Sequence, residues 1–325
     1  MKRYLRNLIL FCGPCFVCLL AYYLIDDPYR LYWPNEDLYE YGERKVCCND
    51  AYRGIRWMNQ YDDSLKYNSF ILGSSRSYFY YVDQWKQYLG QDASCFHFGQ
   101  SGDNLFGTQQ RLEYLYGRVQ KIDNILIIMD AEYLADDSKH KGIIYRQPWQ
   151  VTPEWDYISF NWEFVKAFYT LDYQKRVLGL EKEKRGWEYY YIEQYNELHK
   201  SKAEYLLENQ PDEYYKGLDS YWLYKRSGMD SIAEPVIFEQ QKEALVKIGQ
   251  LLKEGNTNYR IVINPLYEQV AMNQRDLDIL YSIFGRENVF DFSGINQYTN
   301  DTTNYYETSH YRPKLCNQIM KVMYN

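Results

Sequence analysis

Few residues in this chain have types and spacing suited to chemistry. The turn Gly73-Ser74-Ser75-Arg76-Ser77 follows directly on an apolar run, Ser69 to Gly73 (SFILG). A serine at the carboxyl end of a sheet strand, just before a helix, has backbone N–H groups nearby to stabilise an oxyanion, and open α/β sheets bind ligands at such ends. Ser75 lacks the GxSxG elbow of the α/β-hydrolases, and a Ser-rich turn after a strand is also a common helix cap. A second glycine-bearing turn, Phe98-Gly99-Gln100-Ser101-Gly102-Asp103-Asn104, ends another apolar run. Near the C-terminus Glu307 and His310 stand three apart. Within one helical turn, that spacing lets the carboxylate orient the imidazole and stabilise its protonated form. Of the four histidines, His97 falls in a strand-like run, while His140 and His199 fall in polar stretches. A serine, a histidine and a supporting carboxylate are the parts of nucleophilic acyl transfer.

These residues need a scaffold that brings strand ends together. Five short apolar or β-rich runs are evident: Ser69 to Gly73, Ser94 to Gly99, Asn124 to Asp130, Arg260 to Pro265 and Asn288 to Gly294. Runs of this length suit strands buried on both faces of a parallel sheet. Helical periodicity separates them, with Leu105, Leu112, Leu115, Tyr116 and Val119 before the third run and Ile237, Ala244, Leu245, Ile248 and Leu252 before the fourth. Val270, Leu277, Leu280, Tyr281 and Phe284 precede the fifth, with Gly285 as a C-terminal stop. The alternation predicts a doubly wound, three-layer α/β domain. About 130 residues separate the third and fourth runs, far more than a crossover needs. The stretch 135–230, rich in Tyr, Trp, Lys and Glu, reads as a helical cap or lid inserted there. Its aromatics, among them Trp155, Trp162, Trp187, Tyr189, Tyr190, Tyr191 and Trp222, suit either sugar stacking or core packing.

The N-terminus sets the compartment. Lys2, Arg3 and Arg6 precede Leu8 to Ile25, 18 residues without a charge, and Asp26 and Asp27 follow. The length approaches the roughly 20 residues of a membrane-crossing helix, and the charge order predicts a cytoplasmic N-terminus with the rest exported. A cleaved signal peptide shares these features, but no small-x-small cleavage site follows, so an uncleaved anchor is expected. The predicted organisation is a basic end at 1–7, an anchor at 8–25, a juxtamembrane segment at 26–66, a split sheet domain at 67–134 plus 231–325, and the insertion at 135–230.

Composition narrows the partners. With 37 Lys plus Arg against 44 Asp plus Glu the 325-residue chain carries a net charge of −7, and nucleic acid is not expected as a partner. Tyr is abundant at 38 residues, which is compatible with sugar-binding surfaces but reads mostly as a chain-wide habit. Cys12, Cys15 and Cys18 lie in the apolar span and read as packing or acylation sites. Cys47 and Cys48 are adjacent and cannot easily bridge each other, while Cys95 and Cys316 are either buried free thiols or a disulfide. Neither metal-ligand spacing nor a Gly-rich phosphate loop is present, so no metal or cofactor is expected.

Together these motifs resemble the SGNH/GDSL hydrolase superfamily, over roughly half the chain, from Ser69 to about Leu134 and from Ile232 to Asn325. The resemblance implies a three-layer α/β/α sandwich with a five-stranded parallel sheet, flavodoxin-like in outline. Ser75 matches the nucleophile, with GSS where many members have GDS. Gly102, in FGQSGDN, matches the glycine whose N–H joins that of Ser75 in the oxyanion hole. His310 matches the base of the final DxxH block, with Glu307 in the aspartate's place. Two departures stand out. The third strand ends in Met129-Asp130-Ala131-Glu132, without the Asn that normally donates to the oxyanion, and Glu307 is one methylene longer than Asp. Arg76 then reads either as a substitute charge or as a surface salt bridge, and Asp130 as a support.

Both departures are similar to those of the divergent membrane-anchored branch, which includes the D-alanine transfer protein of lipoteichoic acid synthesis and the alginate acetylation enzymes. Asp27-Pro28-Tyr29, GSSRS and SHYRP carry that likeness. It implies a serine acyltransferase or esterase acting on an exported cell-envelope polysaccharide, with an acyl donor and a membrane-bound O-acyltransferase as partners. A catalytically inactive glycan-binding or scaffold domain is the alternative.

Overall fold

The structure, a computed structural model, describes residues 2–27, 29, 31–33, 49–136, 142–152, 156–171, 174–175, 190–218 and 223–325. His140, Cys47, Cys48, Trp155, Trp187, Tyr189 and Trp222 lie outside the described residues, as does the side chain of Tyr190.

Five strands form one parallel sheet: β1 (Ser69–Gly73), β2 (Cys95–His97), β3 (Asn124–Met129), β4 (Asn258–Ile263) and β5 (Val289–Asp291). Their order is β2-β1-β3-β4-β5, parallel throughout. Successive side chains of a strand point to opposite faces, which divides the apolar runs between two cores. Phe70, Leu72, Ile125, Ile127, Ile261 and Ile263 pack on one side. Ile71, Leu126, Ile128 and Val262 pack on the other.

Helices cover both faces. The first core is closed by α2 (Asp50–Leu65), α3 (Leu105–Arg118), α5 (Glu239–Glu254) and α6 (Gln274–Phe284). The second is closed chiefly by α7 (Pro313–Tyr324), whose Leu315, Cys316, Ile319, Met320 and Met323 make an i, i+1, i+4, i+5, i+8 stripe. Truncating one of these buried side chains to Ala typically costs about 2–5 kcal/mol. Cys95 and Cys316 are both free and buried, so the disulfide is excluded; burial pushes the Cys95 thiol up to about 12 and that of Cys316 well above its ordinary value.

Four sequence expectations change. The juxtamembrane segment at 26–66 is partly built into the sheet domain, because α2 sends Ile55, Trp57 and Met58 into the sheet's core. The helical pattern after β1 is broken into a 3₁₀ turn, Ser75–Phe79, and a short helix, Val82–Lys86. Val270, counted with the following helix, instead pairs with Ser231 in a two-residue bridge. The insertion is not purely helical: beside α4 (Asp156–Phe168) and helices at Ser201–Asn209 and Pro211–Lys216 it holds an antiparallel pair, Tyr190–Ile192 with Glu197–His199. Within it Tyr191 packs against Trp57 and under the Arg53 guanidinium, 4.9 Å from the ring centre, as a core aromatic does, whereas Trp162 is half exposed.

The N-terminal helix α1 (Lys2–Asp26) is long and apolar enough to cross a membrane, and Pro14 sits within it. Its end is tightly built. The backbone turns at Asp27 (φ 36°), whose buried carboxylate accepts hydrogen bonds from the amides of Leu31 (2.9 Å), Tyr32 (2.9 Å) and Trp33 (2.7 Å). Tyr23, Tyr29 and Leu31 then pack on Phe160, Phe164 and Phe168 of α4.

Candidate active site

The Ser75 turn begins where β1 ends. Gly73 has φ +148°, and a Cβ there would lie 2.7 Å from the Ile128 carbonyl oxygen on β3, so only glycine lets the chain leave the sheet here. The Ser74 hydroxyl accepts from the Arg76 amide, and the Ser74 carbonyl accepts from the Ser77 amide at 2.9 Å, which winds Ser75–Phe79 into its 3₁₀ turn. His97 props this turn from below. Fully buried, its Nε2 is 2.9 Å from the Ser77 carbonyl, and its Nδ1 accepts from the Gly99 amide. Burial holds its pKa down at about 4, so it is a neutral structural imidazole.

Ser75, His310 and Glu307 come together. His310 Nε2 is 2.9 Å from Ser75 Oγ, and its Nδ1 is hydrogen-bonded to Glu307 Oε1. With a carboxylate at Nδ1 the tautomer carries its proton there, so the Ser75 hydroxyl donates to Nε2. The second Glu307 oxygen accepts from the Ser309 amide at 2.6 Å. Glu307 and His310 do not share a helical turn. They face each other across an antiparallel hairpin, Tyr305–Glu307 with His310–Tyr311, interrupted by a bulge between Tyr305 and Glu307. A two-residue turn brings i and i+3 together as surely as a helix does.

Electrostatics favours a neutral base beside an ionised acid. Burial pulls the His310 pKa down, and Glu307 restores only part of it, leaving it below the ordinary value. Burial pushes the Glu307 carboxyl up, but the His310 hydrogen bond, the Ser309 amide and the Lys200 charge outweigh this and hold it below the usual range. Lys200 belongs to the insertion, and its ammonium sits over the rings of Phe79 (5.1 Å) and Tyr306 (4.5 Å). Burial depresses its own pKa to about 8, with Glu307 and Glu204 opposing.

Gly102 lies in the turn after β2 with φ +61°, and a Cβ there would fall 2.1 Å from the Tyr145 ring. Tyr145 of the insertion thus covers this glycine. The Gly102 and Ser75 turns are tied by Asp50 at the start of α2, whose Oδ2 accepts from Tyr78 Oη (2.6 Å) and Ser101 Oγ (2.5 Å). Arg53 pairs with the other oxygen at 3.0 Å. Below the turn a buried cluster fixes its backbone: Arg111 pairs with Asp103 and donates to Gln100 at 2.9 Å.

Arg76 makes two salt bridges, one to a buried and one to an exposed carboxylate. Its side chain is mostly buried, donating to Asp130 at 2.8 Å and Glu132 at 2.7 Å, so the guanidinium spans from the Ser75 turn to the end of β3. Asp130 occupies the strand end where an Asn was sought, and its Oδ2 also accepts from Asn264 Nδ2 at 2.8 Å. Asn264 in turn accepts from Tyr311 Oη at 2.7 Å. Sequence reasoning missed Asp50, Lys200, Asn264 and Tyr145. Only Asn264 left a signal, as a polar residue ending the apolar run RIVINP.

No protein-family model matches this chain, and neither does any curated protein. Its chemistry is therefore read from its own geometry: a serine hydroxyl aligned on a neutral imidazole, backed by a carboxylate, at the carboxyl ends of a parallel sheet.

Proposed function

We propose that the chain is a membrane-anchored serine acyltransferase or esterase of the SGNH type, working outside the membrane on an ester-bearing cell-envelope polysaccharide, with O-acetyl groups as the expected cargo. The observation that carries this reading is the continuous hydrogen-bonded chain Ser75–His310–Glu307. The β2-β1-β3-β4-β5 order and the placing of Ser75 after β1 support it, as does an N-terminal helix of membrane-crossing length.

In this reading Ser75 Oγ attacks the ester carbonyl carbon while His310 Nε2 takes the hydroxyl proton. The developing oxyanion is held by the backbone N–H groups of Ser75 and Gly102, and Glu307 stabilises the imidazolium. Collapse breaks the bond to the alcohol, which leaves with the proton from His310, and Ser75 keeps the acyl group. Water or a sugar hydroxyl, deprotonated by the same imidazole, then attacks the acyl-serine and restores the free hydroxyl. Arg76, held by Asp130 and Glu132, adds positive charge beside the base.

A fluorophosphonate ester tests the nucleophile. The wild-type chain is expected to be labelled covalently and Ser75→Ala is not; equal labelling of the two would falsify the assignment, and no labelling of either points to a glycan-binding domain. Mass analysis of envelope glycan from a deletion strain separates the two activities, since a transferase leaves acyl groups missing and an esterase leaves them in excess.

A further inference from the structure

The helix α4 is apolar on two sides. Phe160, Phe164 and Phe168, at i, i+4 and i+8, are fully buried against the end of α1. On the outer side Ile158 and Trp162 are exposed, by 78% and 50%, and Leu171 just beyond the helix is exposed as well. Its only charges are Asp156, Glu163 and Lys166, and each is engaged in an ion pair. A helix apolar on both faces with one face already packed has an apolar neighbour on the other.

The level at which α4 meets α1 identifies that neighbour. Phe168 packs edge-on against Tyr22 and Tyr23, and the Tyr169 hydroxyl donates to the Leu19 carbonyl. Leu19 precedes the acidic end of α1 at Asp26 by seven residues, which at 1.5 Å per residue is about 10 Å along the helix axis. Interfacial helices sit about 5–10 Å into the headgroup and acyl boundary, so an element gripping α1 at this depth lies in the membrane when α1 does. Trp33, exposed on the other side of the joint, donates its indole N–H to the Leu24 carbonyl at 2.8 Å. Trp and Tyr on both sides of the emerging helix make the belt expected at a membrane surface.

We infer that α4, together with the 31–33 turn, forms a collar seated in the outer leaflet of the bilayer that α1 crosses. This rests on the membrane-anchored reading above and adds to it. The collar is joined to the candidate active site: Arg146 donates to Asp156 (2.8 Å) and Ser159 (2.6 Å) of α4, and its neighbour Tyr145 covers Gly102. Asn49, which caps α2 ahead of Asp50, donates to the carbonyls of Ile143 and Arg146. The collar therefore holds the site close to the membrane surface, where it meets acyl groups presented by lipids or by polymers emerging from the bilayer.

Photocrosslinking in full-length protein, in vesicles of phosphatidylglycerol and phosphatidylethanolamine, tests the collar. A p-benzoylphenylalanine replaces Ile158 or Trp162 in turn, with Ile9 in the span and Val322 on α7 as reference positions. Lipid adducts at 9, 158 and 162 but not at 322 are expected. Lipid adducts at 9 alone, or adducts at 158 and 162 with protein instead of lipid, overturn the collar and leave the anchor standing. No lipid adduct at 9 overturns the anchor, and the collar with it.

Discussion

The Asp130 carboxylate accepts a hydrogen bond from Asn264 at 2.8 Å and thereby joins the ends of two adjacent strands, β3 and β4. Arg76 donates to the same oxygen, and Tyr311 donates to Asn264. Arg76 follows Ser75 and Tyr311 follows His310, so this polar path runs from the residue after Ser75 to the residue after His310. The 2.9 Å contact between Ser75 and His310 closes it into a ring. The separation of two groups delivered by distant segments is thus fixed by strand ends that the sheet already holds in register.

Asp130→Ala opens this ring and leaves Arg76 and Asn264 short of a partner. Removing one member of a buried pair commonly costs about 3–5 kcal/mol, and Glu132 retains part of the Arg76 interaction, so a loss of about 3 kcal/mol is expected. Urea unfolding in detergent reads it as a lowered midpoint. An unchanged midpoint would show that the ring contributes nothing to stability.

Acylation of Ser75 requires neutral His310, whose pKa is depressed. The labelling rate of the wild type is therefore expected to fall on the acid side with a midpoint below 6.5, the ordinary histidine value. Glu307→Gln removes the group that holds this pKa up. Its maximum rate drops by roughly a thousandfold or more, while its acid midpoint moves lower still. A rate profile with fluorophosphonate measures both, and an upward shift in the midpoint would contradict the assigned role of Glu307.

Lys200→Met tests the insertion's grip on the site. The folded pKa of Lys200, about 8, lies below the usual 10.5. Burial of the charge therefore opposes folding at pH 7, and the penalty fades as pH rises from about 8 to 10.5. Met removes it, so the variant should be more stable at pH 7 by an amount on the order of 1–3 kcal/mol. Loss of the charge also lets the His310 pKa rise, moving the acid limb of labelling to higher pH. Thermal melts and the rate profile check the two effects separately, and a destabilised variant with an unmoved limb would refute this account.

His97 makes the fold acid-sensitive. Its unfolded pKa is near 6.5 and its folded pKa about 4. The unfolded chain alone binds this proton between those values, so stability is full above pH 6.5 and falls by about 3 kcal/mol on the way to pH 4. His97→Gln retains an amide donor toward Ser77 and should flatten that part of the stability curve. If wild type and variant lose stability in parallel there, some other group is responsible.

The candidate residues were legible because each announces itself locally: Ser75 behind a strand and a glycine, Gly102 in a second glycine turn, His310 three residues from Glu307. The α/β class and all five strands were legible from short apolar runs, since parallel strands buried on both faces have no polar alternation to blur them. The hairpin carrying Glu307 and His310 was misread as helical because a spacing of three serves both geometries. Asp50, Lys200 and Tyr145 could not be read at all. Each acts across distances that only the folded chain closes, from the segment after the anchor or from the insertion. The exchange of Asn for Asp130 was visible, but its consequence was not, because the partners Arg76 and Asn264 come from two other strand ends.

Asp27 accepts three successive amides and turns α1 into the domain with a left-handed residue, while α4 clamps the same helix from the side. A flexible tether would let a domain tumble through every orientation above its anchor. Joined this way, the domain is held to the helix by three amide hydrogen bonds and a packed aromatic cluster, like a wheel on an axle. On the membrane-anchored reading proposed above, the search for substrate becomes lateral diffusion with one face turned toward the surface, and the effective concentration of surface-bound substrate rises without any added contact.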